Sequence, residues 1–158
     1  MGKVLVTYYS RSGNTKAMAE IIADEVEKNG HSVDLKVVTD VDVDTLTGYD
    51  GILIGTPVYY GTMSAEIKQL IDDSVKYHRK LDGKAGGAFA SSANIGGGNE
   101  TAVLDIINAM LIHGMVVQGD PTGDHYGPVA IRKPDERATE NCIRFAQRFS
   151  ALLNRISS

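Results

Sequence analysis

Val4-Leu5-Val6-Thr7-Tyr8-Tyr9-Ser10-Arg11-Ser12-Gly13-Asn14-Thr15 leads a β-branched and aromatic run directly into a loop of hydroxyls, an amide and a glycine. Residues 4–8 are apolar enough for a strand buried on both faces. Residues 14–29 follow with Met18, Ile21, Ile22 and Val26 at helical spacing, and Asn29-Gly30 closes the helix. Between strand and helix, Gly13 permits a tight turn that brings backbone N–H groups inward. The helix behind the turn adds a partial positive charge at its N-terminus. Ser10, Arg11, Ser12, Gly13, Asn14 and Thr15 together can form a nest for a phosphate dianion. The same residues also fit an ordinary capped helix with Ser12 or Asn14 as N-cap.

The rest of the chain repeats this alternation. Val33–Val37 has period two and reads as an edge strand; 40–50 is acidic, with a short helix near 43–47. Gly51–Gly55 is a third, buried strand, followed by a loop at 56–63 and a helix over 64–77 with Ile67, Leu70, Ile71 and Val75 inward. Lys84–Ala90 reads as a small-residue strand, 91–98 as a loop, 99–112 as a helix and Met115–Gln118 as the fifth strand. A long loop at 119–134 precedes a last helix near 135–156, with Ala138, Cys142, Phe145, Phe149, Leu152 and Ile156 at three-four spacing. Five βα units without repeat or linker predict one α/β domain over residues 1–158. Its parallel sheet would carry helices on both faces. Ligands then bind beyond the carboxyl ends of the strands, which places the loops at 9–15, 56–63, 91–98 and 119–134 on one edge.

Two of those loops carry further chemistry. In Thr56–Met63, Pro57 stiffens the turn and the adjacent Tyr59 and Tyr60 suit stacking on a planar ligand, with Gly61 admitting its edge. Equally, one tyrosine could belong to the core while the other covers a neighbour. In Ser91–Gly98, three consecutive glycines suit a backbone that wraps a ligand edge, or a flexible hinge.

Bulk properties narrow the classes. The 158 residues carry a formal net charge of −4, with 42% hydrophobic and 23% charged residues. That balance argues against nucleic-acid binding and against a basic membrane surface. No apolar run has the length of a membrane span. A single cysteine, Cys142, and no signal-peptide pattern favour a cytoplasmic setting. No Walker or dinucleotide fingerprint is present. Strand 3 ends in Gly55-Thr56-Pro57 rather than a phospho-accepting Asp. No metal spacing or nucleophile elbow occurs.

Ser10-x-Ser12-Gly13-Asn14-Thr15 after strand 1 resembles the phosphate loop of flavodoxins. Thr56–Ser64, Gly96-Gly97-Gly98 with Glu100, and His113–Val117 are similar to the tryptophan-repressor-binding-protein type of NAD(P)H:quinone oxidoreductase within that superfamily. The resemblance runs nearly end to end. It implies a flavodoxin-like three-layer sandwich with a five-stranded parallel sheet of order 2-1-3-4-5, and FMN as cofactor. Ser10, Arg11, Ser12, Gly13, Asn14 and Thr15 match the phosphate loop. Pro57, Val58, Tyr59, Tyr60 and Gly61 match the ring-binding loop, and Ser91, Ser92, Asn94, Ile95, Gly96 and Gly97 the third loop. His113 matches a histidine near the flavin, although it also fits a helix C-terminal residue completing the dipole. The chain is shorter than those reductases, has no Trp, and differs around 75–83 and 119–134. The resemblance therefore implies an electron-transfer protein working with redox partner proteins. The alternatives are an FMN-dependent NAD(P)H:quinone oxidoreductase, as homodimer or homotetramer, or a flavin-binding interaction module without turnover.

Other residues read as structural. Cys142 and Arg148 share the spacing of a phosphatase loop, but the intervening residues are helical and lack glycine, so Cys142 is a core residue. His31 and His78 read as solvated surface. His125 and Tyr126, in the fourth loop, could cap the ligand or simply cover it.

Overall fold

Strands that are apolar on both faces have to be covered from both sides, and this chain covers them with helices. In the computed structural model, which describes residues 1–157, the sheet strands are β1 (Lys3–Tyr8), β2 (Ser32–Val37), β3 (Gly51–Pro57), β4 (Ala85–Ser92), β5 (Val116–Val117) and β6 (Val129–Ile131). The helices are α1 (Asn14–Lys28), α2 (Ala65–Asp73), α3 (Asn99–Ile112) and α4 (Glu136–Ile156). All strand pairs are parallel and the order is β2-β1-β3-β4-β5, with β6 also pairing with β4. One core joins α1 and α4 to the sheet, through Met18, Ile22, Val26, Cys142 and Phe149. The other joins α2 and α3, through Ile67, Leu70, Val103, Ile106 and Met110. The expected α/β architecture and strand order are therefore present, and Cys142 is buried as expected, its thiol pushed up to about 12 by burial.

Four local expectations are corrected. The fifth strand is split: β5 has two residues, and β6 arises inside the segment expected to be loop. The two pieces pair with the start and the end of β4, Ala85↔Val116 and Ala90↔Val129, and residues 118–128 leave the sheet between them. β4 runs on to Ser92, so Ser91 and Ser92 belong to a strand rather than a loop. The second helix stops at Asp73, where the Ser74 hydroxyl donates to the Ile71 carbonyl at 2.6 Å. A 3₁₀ turn follows, and Val75 is 70% exposed instead of inward. His31 is buried, its Nδ1 accepting the Gly2 N–H at 3.1 Å, so it anchors the N-terminus rather than facing solvent.

Packing on the α1/α4 face follows one pattern. All three phenylalanines of the chain rest on glycines of the sheet. A Cβ at Gly51 would lie 2.5 Å from Phe149, one at Gly55 2.2 Å from Phe89, and one at Gly87 2.6 Å from Phe145. The missing side chains are the sockets for the rings.

The excursion at 118–128 is held by a polar stripe on α4. Arg144 makes a bidentate pair with Asp120, one arm at 3.0 Å, and Arg148 donates to the Gly119 carbonyl at 2.8 Å. Asn141 accepts the Asp124 N–H at 3.1 Å, and Arg137 bonds Asp124 at 2.8 Å and the Val129 carbonyl at 2.7 Å. Positions 137, 141, 144 and 148 share one helical face. The Arg144 bond, with backbone N–H groups of Thr122 and Gly123, holds the Asp120 carboxyl well below the usual carboxylate range.

Two outcomes follow from this packing. Gly55→Ala should destabilise the protein by about 1–3 kcal/mol through overpacking against Phe89. Adding Phe89→Leu should recover part of that loss; chemical denaturation of the single and double variants measures both. Asp120→Asn should also lower stability at neutral pH. A carboxyl depressed in the folded state stabilises fully above its ordinary value and loses that stabilisation as pH falls through the depressed one. The stability gap between wild type and Asp120→Asn should therefore be widest above about pH 5 and shrink below about pH 4, as measured by urea denaturation across that range.

Candidate functional site

Because the strands are parallel, β1, β3, β4 and β6 end on the same edge, and their following residues meet there. After β1, the Ser10 hydroxyl accepts the Gly13 N–H at 3.0 Å and shapes the turn. Gly13, at φ 92°, is the residue that caps α1, and no side chain caps the helix. The capped-helix alternative with Ser12 or Asn14 is thus not what the chain forms. The α1 N-terminus opens on the edge with its first-turn N–H groups free of a side-chain partner. Thr15 is buried and its hydroxyl bonds that of Ser91, 2.8 Å away, tying the loop to the end of β4.

After β3, the chain makes a two-residue hairpin. Tyr59 and Thr62 exchange backbone bonds of 3.1 and 3.2 Å, and Tyr60 (φ 50°) and Gly61 (φ 81°) between them are both left-handed. Positive φ at both central residues is the pattern of a primed turn. The Thr101 hydroxyl donates to the Gly61 carbonyl, and the Thr62 hydroxyl to Asp105, so the hairpin is fastened to the start of α3. The two tyrosines diverge. Tyr59 is half-buried beneath the Arg11 guanidinium, 4.9 Å from its ring centroid, and burial raises its phenol above the ordinary value of 10. Tyr60 is fully exposed.

After β4, the three glycines have distinct reasons. Gly96 (φ 68°) and Gly98 (φ 100°) need left-handed backbone. A Cβ at Gly98 would also sit 2.6 Å from the Gly61 Cα, and one at Gly97 2.8 Å from the Asn94 carbonyl. Close approach to the hairpin accounts for Gly98, and close approach to the turn's own backbone accounts for Gly97.

One cleft of about 230 Å³ gathers much of this: Ser10, Arg11, Ser12, Asn14 and Thr15 from the first loop, Pro57, Val58 and Tyr59 from the second, and Ser91 and Ser92 from β4. Tyr60, Gly61, Asn94, Ile95, Gly96 and Gly97 do not line it. They stand farther along the edge, on the hairpin and the turn that meet at Gly61 and Gly98, with Ile95 91% exposed. His113 is not brought to the site. It sits at the far end of α3, which at 1.5 Å per residue over 14 residues is about 20 Å from Gly98. There its Nε2 bonds the Ser74 hydroxyl at 2.8 Å, and burial, then His78, lowers its pKa. Within this chain His113 is therefore far from the cleft, because α3 runs back across the sheet and carries its C-terminus to the opposite edge. His125 and Tyr126 line a separate hollow of about 140 Å³ beside Glu100, and the His125 Nδ1 bonds the Asp120 carbonyl at 2.7 Å.

Sequence reasoning missed Arg132, which also lines the cleft. The signal for it was Val129-Ala130-Ile131, a short β run whose carboxyl end must fall on the same edge. Among the described residues no group of three or more His, Cys, Asp and Glu could hold a metal ion, and no helix is long and apolar enough to cross a membrane.

Comparison with known proteins agrees with this fold. Residues 5–102 match the family described as flavodoxin domain. The chain is 37% identical to a flavodoxin of Aquifex aeolicus over 95% of its own length and 86% of that protein. It is 35% identical to an NAD(P)H dehydrogenase (quinone) of Bradyrhizobium diazoefficiens over 86% of its own length and 77% of that protein. A flavodoxin structure from the domain Archaea superposes with a TM-score of 0.80 at 30% identity, covering 96% of this chain and 99% of that one. The chain belongs to the flavodoxin family.

Proposed function

We propose that this protein binds FMN and transfers electrons between partner redox proteins in the cytoplasm. The observation that carries the reading is the uncapped α1 N-terminus opening on a cleft that Tyr59 helps to wall. The donors fit a phosphate monoester: backbone N–H groups of the first turn, a positive helix end, and the hydroxyls or amides of Ser10, Ser12, Asn14 and Thr15. Pro57, Val58, Tyr59, Tyr60 and Gly61 would hold the isoalloxazine on one side. Ser91, Ser92, Asn94, Ile95, Gly96 and Gly97 would hold it on the other. FMN, once bound, supplies reversible electron uptake; the protein supplies orientation, exclusion of water and tuning. The Tyr60–Gly61 peptide offers one tuning point, because it lies at the tip of a hairpin fastened at its base, at the Gly61 carbonyl and through the Thr62 hydroxyl.

The second reading, an FMN-dependent NAD(P)H:quinone oxidoreductase, is favoured by the relatives of that name. Reductive titration separates the two. An electron carrier should take up its electrons in two separated one-electron steps. A single two-electron step with rapid NADH or NADPH oxidation in the presence of a quinone would replace the carrier with the reductase. A purified protein that is colourless and gains no flavin absorption on mixing with FMN would overturn both.

Gly13 provides a sharper check. Nothing lies within 4 Å of a Cβ placed there, so a substitution is opposed by the left-handed φ and not by contact. Gly13→Val should cost about 1–2 kcal/mol in the loop conformation and weaken FMN binding about tenfold, read by quenching of flavin fluorescence. Unchanged affinity would refute the loop's role.

A further inference from the structure

Arg132 is the first residue after β6 and has φ 62°, a conformation that side-chain-bearing residues rarely adopt. Two bonds hold it there. Its backbone N–H donates to the Ser92 carbonyl at 2.7 Å, and its Nε donates to the Ala93 carbonyl at 3.3 Å. The left-handed turn breaks the strand at Ile131, and the side chain lines the cleft beside the phosphate loop. Arg132 is exposed, and among the described residues no carboxylate lies within ion-pair distance of it, so its charge is left unpaired beside the cleft. With Nε engaged, both terminal nitrogens stay available as a planar fork. Arg11 reaches the same cleft from the β1 side. β3 and β4 lie between β1 and β6 in the sheet, so the two guanidinium groups enter from different sides.

We propose that Arg132 is an anion-binding residue that completes the phosphate loop and selects a phosphate-bearing flavin over one without phosphate. The proposal deepens the FMN reading and rests on it for the identity of the ligand. The strained backbone is what the assignment explains: an extended residue here would continue along β6 and leave the cleft without its second cation. A guanidinium fork bonds two oxygens of one phosphate at once, and such charge-assisted bonds are stronger than those of the loop hydroxyls.

The test uses Arg132→Asn, because asparagine tolerates left-handed φ and leaves the turn intact, together with Arg132→Lys. FMN and riboflavin affinities are measured by fluorescence quenching. Inorganic phosphate binding to the flavin-free protein is measured by calorimetry and by the NMR shift of the Gly13 amide. Arg132→Asn should weaken FMN and inorganic phosphate by about tenfold or more and leave riboflavin within about twofold; Arg132→Lys should recover part of the loss. FMN and phosphate affinities equal to wild type in Arg132→Asn would overturn the proposal. So would a parallel fall for riboflavin, or a wild-type flavin-free protein that binds no inorganic phosphate. Phosphate binding that depends on Arg132 in a protein that takes up neither flavin would sink the FMN reading and leave the anion site standing.

Discussion

Three phenylalanine rings seated on three glycines set the spacing between the sheet and the helices on one side of this molecule. Gly51 and Gly87 leave room that Phe149 and Phe145 of α4 fill, and Gly55 leaves room for Phe89 of the neighbouring strand β4, so α4 lies close against the sheet. Close packing of this kind tolerates little adjustment. It fixes where β3 and β4 end, and with them the positions of Pro57 and Ser91, which are register partners across the two strands. The Thr15–Ser91 bond then draws the first loop to the same point. The cleft thus sits at the end of the same face on which these rings pack.

Much of this was readable from the chain. The apolar runs at 4–8 and 51–55 are long enough and β-branched enough to declare buried strands, and α3 falls on the expected residues 99–112. The loop at 10–15 was legible with one alternative, because Ser, Gly and Asn also serve as ordinary helix caps; the left-handed Gly13 at the cap position decides between the two. The errors share a physical origin: each depended on a partner distant in sequence. β6 is three residues long and exists only because Ala90, Ser91 and Ser92 offer it a ladder. His31 is buried because the Gly2 N–H needs an acceptor. His113 was assigned by local likeness, whereas its location follows from the direction of α3. Arg132 follows a β run of only three residues, Val129-Ala130-Ile131, too short to declare a strand by itself, and the register of β6 reveals that it overlooks the cleft.

The glycine-rich turn shows how one sequence signal can have more than one physical reason. Its three glycines do line the functional edge, but Gly97 and Gly98 are required by contacts within the protein, with Asn94 and with Gly61. The hairpin and the turn therefore support each other. The exposed rings and side chains at their tips, Tyr60 and Ile95, stand on a braced base and not on loose chain.

The divided fifth strand has a consequence for how molecules of this protein meet one another. A long outer strand would present a continuous row of unpaired N–H and C=O groups, a template on which a second chain could add. Here that border is broken into pieces of two and three residues, separated by a segment anchored to α4 through arginine side chains. No uninterrupted ladder is offered on that side of the sheet. β4, buried along its whole length, therefore has a partner at its start and another at its end, and no long outer strand beyond it.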